Sequence, residues 1–115
     1  HVPLNEKTKN MLNHNKIKLM KKNAIIINTS RGGIINEIDL DQALKNNIIF
    51  GAGLDVFEKE PIDKNNPLIN NKKVLLSPHS ATFTNECKSR MAIETTKNII
   101  DFFENTLDKS MIVKT

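Results

Sequence analysis

Arg31, Glu60 and His79 are the side chains whose types and settings could bind a carboxylate and move a proton. Arg31 stands in Asn28-Thr29-Ser30-Arg31-Gly32-Gly33, directly after the apolar run Ala24-Ile25-Ile26-Ile27. Two glycines let the backbone turn sharply, and a planar, permanently charged guanidinium suits bidentate recognition of a carboxylate in a way that lysine does not. The alternative is a surface arginine in a turn. His79 follows Pro78, which restrains Ser77 to extended geometry, so the imidazole is delivered from a rigid position. Histidine is the usual general acid or base near neutrality; the alternative is a histidine that caps a turn. Glu60 is its natural partner, because a carboxylate on one ring nitrogen fixes the tautomer and leaves the other nitrogen free for a substrate. Plain loop solvation is the competing fate of a Glu in Lys-Glu-Pro. Asp55, closing Gly51-Ala52-Gly53-Leu54-Asp55, could accept from an amide or a sugar, or satisfy loop amides.

Each of these groups follows a run that reads as a buried strand, and open α/β sheets place their sites at the carboxyl ends of such strands. The three strand candidates are Ala24–Asn28, Ile48–Val56 and Val74–Leu76. The first is continuously β-branched, which predicts a parallel sheet covered on both faces. Between the first two, Asn36 with Asp39 marks a helix start, and Ile38, Leu40, Ala43 and Leu44 supply its apolar stripe up to Asn46-Asn47. Lys7 to Lys22 suggests one or two short helices. Glu58 to Lys73, polar and holding Pro61 and Pro67, reads as a long loop, and long loops in compact domains are often functional. From Thr84 a long helix is expected, with Glu86 in its first turn and Met91, Thr95, Ile99 and Phe102 on one face. Strand, helix, strand, loop, strand, helix implies a right-handed parallel α/β layer.

Composition narrows the classes. At 115 residues there is room for one compact unit, with 38% hydrophobic residues. The net charge of +4 comes from dispersed lysines, with only Arg31 and Arg90 as arginines and neither Trp nor Tyr, which argues against a nucleic-acid groove. Cys87, the single cysteine, allows no internal disulfide, and a reducing, cytoplasmic setting is the simpler reading. It lies near a helix start, where such a residue usually packs, and His14 reads as a solvated residue. No zinc spacing, apolar run of ~20 residues or signal-peptide pattern is read, so neither a metal nor a membrane partner is expected. The chain begins His1-Val2-Pro3-Leu4 without an initiator Met, and a fragment or processed product is expected.

Taken together the segments resemble the cofactor-binding half of the D-isomer-specific 2-hydroxyacid dehydrogenases. The resemblance runs through His1-Val2-Pro3-Leu4 with Thr8, Met20-Lys21-Lys22-Asn23-Ala24, Ser30-Arg31-Gly32-Gly33, Ala43-Leu44, Gly51 to Phe57, Glu60-Pro61 and Pro78-His79, in family order. It implies an α/β fold: a partial Rossmann-like parallel sheet flanked by helices, the second half of a dinucleotide-binding domain. Residues 1–83 would be the C-terminal half of that domain with the triad, and 84–115 a helix and tail that cross back to a substrate domain.

By this resemblance Arg31, Glu60 and His79 are catalytic, Arg31 polarising a 2-oxo acid and His79 acting as acid/base with Glu60. His1, Pro3, Thr29, Ser30, Arg31, Asp55 and His79 would contact the cofactor, Asp55 holding the nicotinamide carboxamide. The cofactor would be NAD, with NADP still open, and the substrate a small 2-hydroxy/2-oxo acid such as 3-phosphoglycerate, in an enzyme that is a homodimer when full length. The chain departs from the family in lacking G-x-G-x-x-G, the turn that grips pyrophosphate, so the isolated chain is expected to be inactive. An NAD(H)-sensing corepressor-like binding protein of the same fold and an inactive truncated fragment are the alternatives.

Overall fold

A computed structural model describes residues 1–113. They divide into two compact units, His1–Ala81 and a second that begins at Thr82. Lys114 and Thr115, the end of the expected 84–115 segment, lie outside the described residues.

In the first unit the apolar run becomes β1 (Ile25–Asn28), followed by β2 (Gly51–Leu54) and β3 (Val74–Leu76). All are parallel, in the order β1-β2-β3. The register pairs Asn28 with Leu54 and Leu54 with Leu76, so the three strands end level with one another. Any residue one to three positions past these ends is therefore delivered to one edge of the sheet. The second strand is shorter than the expected Ile48–Val56, because Ile48 is still bonded to the end of the preceding helix through Ala43 O.

The β1–β2 crossover is a helix, which we number α2 (Glu37–Lys45) after the single-turn α1 (His14–Ile17). Asn36 caps α2 by accepting from Asp39 N at 2.9 Å. The helix stops at Asn46, and Asn47 takes a left-handed conformation (φ 56). Leu40 and Leu44 are fully buried, and with Ile17, Ile26, Ile49, Leu54 and Leu68 they form the core. Burying one such side chain contributes about 1.5–3 kcal/mol. On the same helix Asp41 is buried, pairing with Lys45 at 2.7 Å and accepting from Asn71 Nδ2 at 2.8 Å. Leu40, Ala43 and Leu44 of the expected stripe are buried, whereas Ile38 is exposed and lies off it.

Lys7 to Lys22, expected to hold one or two short helices, holds one, α1; before it Asn10 is left-handed (φ 50) and Leu12 N bonds Ile34 O, drawing the chain into a bridge with Ile35. Within the first unit the sheet is covered by helices on one face, where a covering on both was expected. Ile26, Ala52 and Leu54 point into the core, whereas Ile25, Ile27 and Leu75 on the other face are 60%, 73% and 82% exposed. A continuous β-branched run supplies apolar side chains to both faces, but these residues provide a helical layer for one.

The second unit is α3 (Asn85–Phe103) and a short 3₁₀ turn, Lys109–Met111. Thr84 caps α3 by accepting from Cys87 N at 3.1 Å. The helix buries none of its residues; Met91, Ile93, Ile99 and Phe102 are exposed.

Candidate active site

The site is built from three loops at the carboxyl edge of the sheet. The first follows β1. Asn28, buried at the strand end, accepts from Ser30 N at 3.1 Å and Ser30 Oγ at 2.9 Å, while its Nδ2 donates to Arg31 O at 3.0 Å. One side chain thus closes the Thr29–Arg31 turn on itself. Arg31 is exposed, and its Nη1 donates to Ser30 O at 2.7 Å. No acidic side chain pairs with it among the described residues, so most of its guanidinium donors stay available to a ligand.

The second loop follows β2 and meets the first at Gly32. A Cβ on Gly32 would sit 1.8 Å from Phe57 O, so only glycine lets these two backbones touch. Gly33 then takes φ 77, a left-handed conformation, within the sharp turn expected of the two glycines. Phe57 N donates to Glu60 Oε1 at 3.0 Å, and Glu60 Oε2 stands 2.7 Å from His79 Nδ1. The histidine and its backbone bonding hold the Glu60 carboxyl below its ordinary range, the His79 hydrogen bond contributing most and Phe57 N–H next. With Glu60 ionised, Nδ1 carries the proton it donates, and Nε2 has no partner among the described residues.

The third loop follows β3 and presents His79. Asp55, buried at the end of β2, accepts from Ser77 Oγ at 2.5 Å, Ser80 N at 2.9 Å and Ala81 N at 2.8 Å. These donors bracket His79, which is itself left-handed (φ 52). They lower the Asp55 carboxyl below its usual range, the Ser77 hydroxyl most and the Ser80 amide next. The loop-amide reading of Asp55 is thus realised in the geometry. Oδ2 accepts from Ala81 N alone and keeps a position for one more donor.

Two cavities open on this edge. His1, Val2, Pro3, Thr29, Ser30 and Arg31 line one of about 280 Å³, which gathers the first five expected cofactor residues. A second, of about 620 Å³, is lined by His79 and Glu60 with the apolar Phe57, Ile62, Leu76 and Pro78. A larger depression of about 750 Å³ lies at the opposite, amino-terminal ends of the strands, around Lys22, Gly51 and Lys72, away from the triad. Among the described residues no cluster of three or more His, Cys, Asp or Glu is placed to hold a metal ion, and no helix is long and apolar enough to cross a membrane. His14 opens α1, its backbone N–H donating to Asp39 Oδ2 at 2.8 Å, and Cys87 lies in the first turn of α3 in the second unit.

Sequence reasoning missed the residues that hold the loops: Asn28, Ser77, and Glu37 with Asn66. Glu37 is buried at the start of α2, where its Oε1 accepts from Glu58 N at 2.7 Å and its Oε2 accepts from Asn66 Nδ2. The available signal was Asn28 itself, a polar residue closing an otherwise apolar run.

Comparison with known proteins places the chain in a family. Residues 1–81 match the family described as D-isomer specific 2-hydroxyacid dehydrogenase, NAD binding domain. A glyoxylate reductase of Korarchaeum cryptofilum is 42% identical over 112 residues, 97% of this chain and 34% of that protein. A D-3-phosphoglycerate dehydrogenase of Methanocaldococcus jannaschii is 49% identical over 88 residues, 76% of this chain and 17% of its own length. The structure of D-lactate dehydrogenase with NAD+ from Lactobacillus jensenii superposes with a TM-score of 0.83 at 28% identity, covering 100% of this chain and 38% of that one. The chain thus spans about a third of the length of the first of these relatives. With its three loops on one sheet edge and this match across the whole first unit, the chain belongs to the D-isomer specific 2-hydroxyacid dehydrogenase family, within the NAD-binding domain.

Proposed function

We propose that these residues form the carboxylate-binding and proton-transferring part of an NAD-dependent oxidoreductase acting on small 2-hydroxy/2-oxo acids. The observation that carries the reading is the His79–Glu60 pair: Nδ1 is anchored at 2.7 Å, and unpartnered Nε2 belongs to a residue lining the 620 Å³ cavity. Arg31 holds the C1 carboxylate in bidentate fashion and draws charge from the C2 carbonyl. In the reductive direction protonated His79 gives its Nε2 proton to the carbonyl oxygen, and Glu60 stabilises the imidazolium beforehand. Going the other way, neutral Nε2 takes the hydroxyl proton. Bound NADH supplies the hydride that reaches the carbonyl carbon.

The residues fit the nicotinamide end of that cofactor. His1, Pro3, Thr29 and Ser30 wall a cavity that opens beside Arg31, and Asp55 Oδ2 keeps the acceptor position that a carboxamide N–H needs. The 115 residues contain no G-x-G-x-x-G, so these side chains orient the ring and do not grip the pyrophosphate. The substrate chemistry recognised is the head common to glyoxylate, hydroxypyruvate and the oxidised form of 3-phosphoglycerate, a carboxylate next to a carbonyl. The test is His79→Ala in the holoenzyme with NADH and glyoxylate. We expect kcat to fall by about 10²–10⁴-fold with NADH affinity changed by no more than about threefold. Undiminished turnover would remove His79 from the chemistry.

A further inference from the structure

We propose that Glu37 is a positioning residue for the His79–Glu60 pair, acting through the loop that carries Glu60. Glu37 lies on α2, and its carboxylate is buried. Both oxygens are committed, and to opposite ends of one segment: Oε1 to the backbone N–H of Glu58, Oε2 to the side-chain amide of Asn66. Between those two anchors run Lys59, Glu60, the cis-linked Pro61 and the exposed Asp63–Asn65. Asn66 is fixed from its other side, since its Oδ1 caps the 3₁₀ turn Pro67–Asn70 by accepting from Leu68 N at 3.0 Å, and Leu68 is fully buried. The loop is thus stapled at entry and exit by one side chain of the rigid crossover helix.

Glu60 gains its geometry from this staple. Its Oε1 accepts from Phe57 N, one residue before the Glu58 amide that Glu37 holds, and its Oε2 meets His79. Glu60 and His79 are both partly exposed, so the 2.7 Å contact depends on how the loops that carry them are held. A hydrogen bond between mobile groups at a surface is weak, whereas one whose partners are held in place costs little ordering when the imidazolium forms. A buried acid in that place suits the task because both of its oxygens accept, and the two ends of the loop each offer an N–H.

This inference rests on the reading of Glu60 and His79 as the proton-transferring pair, and its test separates the two. In Glu37→Ala the Glu58 amide should exchange with solvent at least about tenfold faster, in keeping with loss of a charge-assisted hydrogen bond. The Glu60 carboxyl, followed by ¹³C NMR, should titrate closer to its ordinary value of 4.5. The charged groups facing it, His79 and Asp55, are unchanged in that variant. In the holoenzyme kcat should fall about tenfold while the KM for glyoxylate stays within about threefold. Glu37→Gln, which keeps the acceptor toward Glu58 N–H but loses the one toward Asn66 Nδ2, should restore only part of the rate.

If Glu37→Ala fails to fold, Asn66→Ser serves in its place, because serine keeps the cap on Leu68 N and removes only the donor to Glu37. A folded variant in which Glu60 titration and kcat are both unmoved overturns the proposal, as does a lowered Tm with the Glu60 titration unmoved. Should His79→Ala retain turnover, the catalytic reading fails, yet amide exchange and carboxyl titration still report the hold of Glu37 on the loop.

Discussion

Replacing Gly32 with alanine tests how closely the Arg31 loop and the Glu60 loop are coupled. The added Cβ would lie 1.8 Å from Phe57 O, 2.0 Å from Phe57 C and 2.7 Å from Glu58 N, where ordinary contact begins at 3.4 Å. All three atoms are backbone, so no side-chain rotation relieves the overlap, and the two loops must part by roughly 1.5 Å. Phe57 N now stands 3.0 Å from Glu60 Oε1 and Glu58 N 2.7 Å from Glu37 Oε1. A shift of that size breaks one or both and carries Glu60 away from His79. Overpacking of this kind costs about 1–3 kcal/mol of stability, and a misplacement of about 1 Å at reacting groups lowers turnover by about 10²-fold. The assay is kcat with NADH and glyoxylate in the holoenzyme, beside a thermal melt and the NADH dissociation constant. Gly33→Ala is the internal comparison. There φ is 77 but the nearest atoms are the flexible end of Leu4 at 3.4 Å, so strain of about 1–2 kcal/mol is expected with little displacement of Glu60. A Gly32→Ala enzyme whose kcat stays within about twofold of the parent, or two variants equal in kcat, would refute the coupling.

Three further outcomes are expected. Arg31→Lys keeps the charge and loses the fork, so the KM for 2-oxo acids should rise by at least about tenfold; an unchanged KM would rule out bidentate recognition. Glu60→Gln should alter the acidic limb of the pH–rate profile. The Glu60 carboxyl is lowered by His79 and Phe57 N–H, so the parent loses its ionised partner only as pH falls below 4.5 through that lower value, and a glutamine that never ionises removes this limb. An identical profile would contradict the pairing. Asp55→Asn should lower Tm at neutral pH and flatten the acid limb of stability. A carboxyl lowered from 3.8 stabilises the fold above that value and ceases to do so as pH falls through the depressed one, and a variant with the parent's acid dependence would count against this role.

The fold was legible where local pattern and tertiary environment agree. Val74–Leu76 and the Thr84 helix start came through because an apolar run and a cap each act over a few residues. Arg31, Glu60 and His79 stood out because each reactive type sits beside Gly or Pro, Arg31 and His79 just past a strand and Glu60 in the loop after β2. Their supports were hidden, since Glu37 and Asn66 are 29 residues apart and a polar residue in a polar stretch gives no sign of its partner. Leu68 was hidden for the opposite reason: one apolar residue in a long loop carries no period, yet it is fully buried. The bare face at Ile25, Ile27 and Leu75 shows a third limit, because a strand's composition records that both faces are apolar and not which residues cover them.

His79 is held at φ 52, left-handed backbone that few non-glycine residues visit and that histidine and asparagine tolerate better than most. The backbone therefore accommodates histidine, asparagine or glycine at this position, and under the proposed function only histidine can exchange the proton. Among descendants of this chain, glycine or asparagine at position 79 would mark a lineage that has stopped using the reaction while keeping the fold. Histidine retained there would mark a lineage that still runs the proposed reaction.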